Sequence, residues 1–474
     1  VIPLTLAEVA QATGGRLHDV PDPGLRVTGP VVHDSRLVEA GALFAAVVGE
    51  RVDGHDFAAR AVAAGAVAVL AQHPVGVPAV IVDDVLVALG RLAHAVTAQL
   101  TGTTVVALTG SAGKTSTKDL IAQLLRHLGP TVFTQESYNN ELGMPSTALR
   151  ADHDSRYLVL EMGARHKGDI AHLTGITRPR IGVVLNVGTA HMGEFGSREG
   201  IAEAKGELVE SLPETGVAVL NADDPLVRAM AARTAARVVL FGESEQALIR
   251  AQDVRLDESG RASFTLVTPA GSAPVTLALY GEHHVSNALA AAAVAVECGM
   301  GVPETAAALG EAGSLSRWRM EVKDRPDGVT VINDAYNANP DSMRAALRAL
   351  AAIGGRGPDA RRTWAVLGEM RELGEDSLAE HDAVGRLAVR LNIATLVAVG
   401  GREAACMELG ARNEGSWGEE SVLVSDADAA IELLREQVRP GDVVLVKASR
   451  SVGLERVAEA LLAPATVAPG GEAR

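Results

Sequence analysis

Cysteine is nearly absent from this 474-residue sequence: only Cys298 and Cys406 occur. Two scattered cysteines make neither a disulfide framework nor a zinc-ligand spacing, which fits a reducing compartment. Long apolar runs are missing as well. No stretch approaches the ~20 apolar residues of a membrane-spanning helix, because charges interrupt the Ala-rich segments at helical spacing. Residues 1–15 contain no basic segment followed by a long apolar run, so no signal peptide is expected. Positive charge is in deficit. There are 43 Lys and Arg against 59 Asp and Glu, a formal net charge of −16, and no basic stripe of the kind a nucleic-acid-binding face presents. Aromatic residues make up 3% of the chain, leaving few side chains to stack on a base. These absences predict a soluble cytoplasmic protein with neither nucleic acid nor membrane among its partners.

Apolar residues make up 47% of the sequence, enough for several cores, and at roughly 100–200 residues per domain the length implies two to four domains. The first hundred residues mix short apolar runs with turns. The segments from His33 to Arg36, Ala42 to Val48 and Val67 to Leu70 read as strands or strand edges, and Phe57 to Ala64 as a helix. From Val105 onward, buried-strand runs alternate with helical stretches: Val105 to Leu108, Tyr157 to Leu160, Ile181 to Leu185, Val217 to Leu220 and Val238 to Phe241. That pattern predicts a mostly parallel sheet with crossover helices. An Ala-rich helix from about Val285 to Glu297 closes this unit. A third alternating set follows a boundary near Gly313: Val329 to Ile332, Trp364 to Leu367, Leu396 to Val399, Val422 to Val424 and Val443 to Val446. It predicts a second open α/β domain. The fold class is therefore α/β in three domains, divided at 1–101, 102–313 and 314–474.

The strongest local signal is Thr109-Gly110-Ser111-Ala112-Gly113-Lys114-Thr115-Ser116, which leaves a strand and opens a helix. Glycines let backbone N–H groups come close to phosphate, and the helix N-terminus adds partial positive charge. Lys114 would reach the β/γ-phosphates and Thr115 would offer its hydroxyl to Mg²⁺. Two residues rather than four separate Gly110 from Gly113, so the common phosphate-loop motif is not matched. No Asn/Thr-Lys-x-Asp segment stands where a GTPase would need it.

Two further groups fall beyond strand ends, where the strands of a parallel sheet converge on a ligand crevice. Glu161 follows Tyr157 to Leu160 and suits a metal that prefers oxygen ligands. His191 follows Ile181 to Leu185 within Asn186-Val187-Gly188-Thr189-Ala190-His191. Lys205, in Ala204-Lys205-Gly206-Glu207, reads on its own as a solvated lysine on a helix.

Taken in order, these segments resemble the Mur ligase family. The likeness continues through Tyr138-Asn139-Asn140-Glu141-Leu142-Gly143-Met144-Pro145, Leu160-Glu161-Met162-Gly163, Gly281-Glu282-His283-His284-Val285-Ser286-Asn287-Ala288 and Asn333-Asp334-Ala335-Tyr336-Asn337-Ala338-Asn339-Pro340-Asp341-Ser342-Met343. It spans about Val32 to Arg456, and several motifs in one order are far more specific than any alone. The shortened phosphate loop is itself a mark of this family. The Tyr-Asn-Asn-Glu-x-Gly-x-Pro and Asn-Ala-Asn-Pro forms resemble the branch that adds D-alanyl-D-alanine to UDP-N-acetylmuramoyl-tripeptide. The Asp-Asn-Pro-Arg string typical of the diaminopimelate- or lysine-adding branch is not found.

The resemblance implies an N-terminal UDP-sugar-binding domain, a central ATP-binding domain and a C-terminal Rossmann-like domain that closes with the incoming dipeptide. It implies ATP and Mg²⁺ as cofactors, an acyl-phosphate intermediate in peptidoglycan precursor synthesis, and a monomer. Carried over residue by residue, Lys114 binds the phosphates, Thr115 and Glu161 bind Mg²⁺, and His191 helps hold a second Mg²⁺. Lys205 matches a carbamylated lysine. Asn287 would face adenine, Asp334 the ribose, and Arg319 the phosphates from across the domain interface. Asn140, beside Asn139, would line the reacting centre. Asp34-Ser35-Arg36 resembles a UDP-binding segment, with Val47-Val48-Gly49-Glu50-Arg51 and His55-Asp56-Phe57 as a neighbouring loop. Asn337, Asn339, Lys447 and Arg450 are candidate dipeptide contacts, and Gly313 to Ser316 the candidate hinge. Three rival readings stay open at this point. A folylpolyglutamate synthase would lack the hundred residues before the loop, a phosphate-loop ATPase switch would need no organic acid or amine, and a silent binding module would not need this set of charged residues.

Overall fold

The computed structural model describes residues 2–49, 51–188, 192–355, 357–358 and 360–463. Three large sheets follow one another along the chain, each with helices on its faces, beside a two-stranded ladder of Leu4–Thr5 and Arg26–Val27. The first has five strands in the spatial order Arg16–His18, Ala79–Ile81, Ala68–Ala71, Leu43–Ala45, Val31–Val32, parallel except at the Arg16–His18 edge. Where the sequence predicts a strand from His33 to Arg36, the chain instead turns. The Asp34 carboxylate accepts the Arg36 N–H at 2.9 Å and starts a 3₁₀ turn over Ser35–Leu37. A short acidic side chain bonding two residues ahead competes with the sheet ladder for that N–H.

The central sheet has nine strands. Thr104–Thr109, which delivers the phosphate loop, lies between Tyr157–Glu161 and Ile181–Val184 and is parallel to both. Its unbroken apolar run follows from burial on both faces. Successive side chains point to opposite sides, so Val106 and Leu108 pack against Leu120, Ile121 and Leu124 of the helix Lys114–Arg126, which leads out of the phosphate loop. Val105 and Ala107 pack on the other side with Leu89 and Leu92 of the helix Val85–Thr97. The Ala-rich helix His283–Glu297 is buried in the first of these layers, its small side chains allowing close approach. Beyond Arg237–Gly242 the sheet continues into Ile249–Leu256, Arg261–Thr268 and Gly271–Tyr280, joined as antiparallel hairpins. The sequence reading did not anticipate these three strands.

The third sheet runs Glu321–Asp324, Thr330–Asn333, Val443–Lys447, Thr363–Gly368, Thr395–Val399, Ser421–Val424, parallel except for its first edge strand. The first and central sheets are not merely linked end to end. Leu89, Leu92 and Val96 share one continuous core with Met144, Ala148, Leu173 and Ile176 of the central domain. His94 and Thr97 also hydrogen-bond the Ile176 carbonyl, at 3.0 and 3.2 Å. Among the described residues, no helix is long and apolar enough to cross a membrane.

Candidate active site

A cleft of about 1080 Å³ opens where the central and third sheets face each other. Ser111 to Ser116 line one wall, with Asn139, Asn140, Glu161, Lys205 and Asn287; Arg319, Asp334, Asn337, Asn339, Lys447 and Arg450 line the other. Gly110 sits behind the loop against Leu185, where an added Cβ would come within 2.9 Å of the Leu185 Cβ.

The phosphate loop is held from behind by Asn186. Its Oδ1 accepts the N–H groups of Ser111 and Ala112 at 3.0 and 2.9 Å, and its Nδ2 donates to the Ala112 carbonyl at 3.1 Å. Ser111 Oγ in turn accepts the Gly188 N–H at 2.9 Å. Gly113 caps the helix with φ +80°, a left-handed conformation that glycine adopts freely. Thr117 makes the first helix bond back, to the Gly113 carbonyl, so the N–H groups of Lys114, Thr115 and Ser116 have no helix partner and are available to an anion. Ser111 and Ala112 thus shape the loop, while the N–H groups left unpartnered lie at the helix start.

Lys114 lies with its Nζ 2.7 Å from the Gly110 carbonyl. Burial lowers its pKa, Glu161 works against that, and Arg319 adds to it. Glu161 is 1% exposed at the end of its strand. Its Oε1 accepts from Asn139 Nδ2 at 2.7 Å, while Oε2 is buried without a partner. A buried carboxylate oxygen left that way is costly, and it suits a hard cation that takes oxygen ligands. Thr115 Oγ1 lies 2.9 Å from Ser137 Oγ, which also accepts from Arg319 Nη2 at 3.0 Å. The Arg319 guanidinium stacks on the Tyr336 ring, 4.3 Å from its centroid.

Lys205 is not the solvated lysine its sequence context suggests. It is 3% exposed, and burial with the nearby Lys114 ammonium brings its pKa down to about 7. A large fraction is therefore neutral amine at neutral pH, the form that can react with carbon dioxide. A carbamate there would turn a cation into an oxygen donor suited to Mg²⁺. Thr115, Glu161 and a modified Lys205 would together fit such an ion, whose chemistry would be to neutralise phosphate charge. His191 and Glu50 lie outside the described residues.

On the opposite wall, Asp334 and Lys447 form a buried ion pair of 2.6 Å, and the other Asp334 oxygen accepts the Met320 N–H at 3.1 Å. Lys447 also donates to the Asn337 carbonyl at 2.7 Å. Lys447 is therefore neither a surface charge nor a free cation. Burial lowers the pKa of the adjacent His283 to about 4, opposed by Asp334 and aided by Lys447. Asn339 caps the helix Pro340–Gly354 and reaches the Ser111 carbonyl at 3.4 Å, bridging the two walls. Asn140 accepts the Gly143 N–H at 3.0 Å and Asn287 packs against Gly113. Arg450 pairs with Glu455 and stacks over Trp318. Ser35 and Arg36 do not line this cleft. Arg36 folds onto Asp34, whose pKa it pulls down to about 2, and Asp34 contributes in turn to the raised pKa of Tyr138, which does line it.

The sequence matches three family descriptions in succession: "Mur ligase family, catalytic domain" over 30–97, "Mur ligase middle domain" over 108–295, and "Mur ligase, glutamate ligase domain" over 318–450. The chain belongs to the Mur ligase family. This Mur ligase is 52% identical to the UDP-N-acetylmuramoyl-tripeptide--D-alanyl-D-alanine ligase of Mycobacterium leprae, across 99% of this chain and 100% of that one. Its fold superposes on the crystal structure of MurF from Acinetobacter baumannii with a TM-score of 0.85, at 32% identity over 97% of this chain and 99% of that one. MurF ligase from Thermotoga maritima, solved in complex with ADP, gives 0.77 at 32% identity, covering 92% and 97%.

Sequence reasoning gave no role to Asn186, Ser137, Tyr336 or the pair Lys118–Asp119. Asn186 and Tyr336 stood inside quoted motifs, and position was the only available signal. Lys118 falls on the helix face one turn after Lys114, where a lysine must be buried.

Proposed function

We propose that this Mur ligase joins D-alanyl-D-alanine to UDP-N-acetylmuramoyl-tripeptide with ATP and Mg²⁺, through an acyl-phosphate. The observation that carries this reading is the convergence on one cleft of the free helix-start N–H groups, Lys114, Arg319 and the unpartnered oxygen of Glu161. The tripeptide carboxylate must attack the γ-phosphate, breaking its bond to the β-phosphate and releasing ADP, so two anions have to meet. Lys114 and Arg319 offset that repulsion from opposite walls. Mg²⁺, held by Thr115, Glu161 and carbamylated Lys205, would add the same neutralisation. The dipeptide amine then attacks the acyl-phosphate, the new C–N bond forms, and phosphate leaves.

The relatives' names and the three-sheet architecture support the assignment. Division of the chain at 1–101, 102–313 and 314–474 keeps each large sheet within one segment, and we take these as the domain limits. Both ATP and the UDP-linked acceptor are cytoplasmic metabolites, so the chain is assigned to the cytoplasm. It acts there as a monomer in peptidoglycan synthesis, which serves cell shape and division. In the deciding experiment, protein is incubated with ATP, Mg²⁺, UDP-N-acetylmuramoyl-tripeptide and D-alanyl-D-alanine, each omitted in turn. Phosphate release and UDP-N-acetylmuramoyl-pentapeptide formation that require every component are expected. ATP turnover indifferent to the dipeptide refutes the assignment and leaves an ATPase switch.

A further inference from the structure

Lys118 is 0% exposed, yet it does not reach the cleft. Its Nζ forms a 2.6 Å ion pair with Asp119, itself 2% exposed. It also donates to the carbonyls of Thr134 and Glu136, at 2.8 and 3.1 Å, and to Ser316 Oγ at 3.2 Å. The second Asp119 oxygen accepts the Ser316 N–H at 2.9 Å. One helical turn on, Gln123 closes two bonds with Gly313: Nε2 to its carbonyl at 2.8 Å and Oε1 from its N–H at 3.1 Å. Residues 119 and 123 lie on one helix face, so the connection between the second and third sheets is fastened along the helix Lys114–Arg126. The sequence reading placed a hinge at Gly313 to Ser316, and these are the residues tied down.

Trp318 and Met320 adopt φ of +57° and +48°, left-handed values that cost non-glycine residues energy. Arg319 stands between them and donates to Ser137 Oγ. Ser137 follows Glu136, whose carbonyl Lys118 holds and whose own φ is +46°. Lys118 therefore anchors both sides of the Arg319–Ser137 contact: one residue before Ser137 and three before Arg319. Ser137 in turn touches Thr115 Oγ1. Two apolar side chains of similar volume would stabilise this region as well as a buried ion pair does, but they could not hold two carbonyls and Ser316 at once.

We infer that Lys118 and Asp119 are positioning residues, which set Arg319 and Ser137 against the phosphate loop by clamping Ser316 to the loop helix. The inference rests on the ligase reading and concerns its phosphoryl-transfer step. Arg319 delivered from a fixed anchor meets the transferring phosphate in one geometry, and displacement of such a group by about 1 Å can cost up to about a hundred-fold in rate.

The test uses the full chain and the complete reaction. Asp119→Asn keeps shape and an acceptor for the Ser316 N–H but removes the ion pair. Ser316→Ala removes only the hydroxyl, and with the backbone bond retained it leaves the fold intact. Each is assayed for kcat, KM for ATP and ADP affinity, alone and combined with Arg319→Ala. For Asp119→Asn, kcat is expected to fall about ten-fold or more, with ADP affinity changed less than about three-fold. In the Arg319→Ala background the same change should cost less than about two-fold, because the group it positions is gone. Ser316→Ala should repeat the pattern more weakly. Full multiplication of the two effects, equal losses of ADP affinity and kcat, or unchanged kcat in both single variants would each overturn the inference. Failure of the ligase reading is separate: it appears in the unsubstituted protein, as no pentapeptide product.

Discussion

Asn186 and Ala112 exchange two hydrogen bonds, the side-chain oxygen taking the Ala112 N–H at 2.9 Å and the side-chain nitrogen giving to the Ala112 carbonyl at 3.1 Å. The loop is thereby pre-shaped before nucleotide arrives. Asn186→Ala removes both bonds and the one to Ser111. At about 0.5–1.5 kcal/mol for each bond, ATP KM should rise roughly ten-fold or more. Asn186→Asp retains the acceptors but loses the donor and adds an anion beside the phosphates, so it should be the worse of the two. Steady-state titration of ATP at saturating organic substrates measures both, and an unchanged KM would remove the clasp from the account.

Glu161 carries the unpartnered oxygen at the strand end. Glu161→Gln keeps the volume and removes the charge. Activity should fall about 10²–10³-fold, the range for losing one major electrostatic contact in a water-excluded site. Melting temperature without added metal should change little, because relief of the buried carboxylate is offset by the attraction that Lys114 loses. A Mg²⁺ titration of activity and a thermal melt give the two readings, and loss of folding with activity would mark the carboxylate as structural instead.

Lys205, with its pKa brought from 10.5 to about 7, makes stability depend on pH. Between those values the unfolded chain binds a proton that the folded chain lacks, so the stability tied to this residue rises with pH across that window. As pH falls through about 7 the folded protein must accommodate a buried ammonium, and that stability is lost. Lys205→Met should flatten the slope and raise the melting temperature at about pH 6 relative to the unsubstituted protein. Melts in carbon-dioxide-free buffer from about pH 6 to 9 test it; parallel curves for the two proteins would refute the depressed pKa.

Gly188 faces Asp341 across the cleft so closely that an added Cβ would lie 2.0 Å from its Oδ2. Gly188→Ala should swing the Asp341 carboxylate off the loop and lower kcat by less than about ten-fold. Adding Asp341→Gly should restore part of the rate by making room. Kinetics of the single and double variants decide, and no recovery would locate the damage within the loop itself.

The parallel strands were readable because burial on both faces writes an unbroken apolar run, as in Val105 to Leu108 and Val443 to Val446. The hairpin strands were not. Ile249–Leu256 carries Arg250, Gln252, Asp253 and Arg255, since one face of an antiparallel extension meets solvent. Glu321–Asp324, an edge strand with three charged residues in four, gives no strand signal at all. At the site, position on a strand end or helix start was legible for Lys114 and Glu161. Burial was not, because it depends on which distant element packs there. Lys205 and Lys447 look like ordinary lysines until the covering layer is known. Lys118 is the sharpest case: its partners Thr134, Glu136 and Ser316 come from two separate loops.

The shared core beneath the helix Val85–Thr97 has a consequence for what the enzyme accepts. With Leu89, Leu92 and Val96 interlocked among Met144, Leu173 and Ile176, the N-terminal unit cannot swing away from the phosphate loop without exposing that layer to water. Under the proposed function, an acceptor held at its nucleotide end by this unit would present its far end at a set reach. On that reading, such a scaffold would act as a ruler for the length of the stem that reaches the phosphate loop.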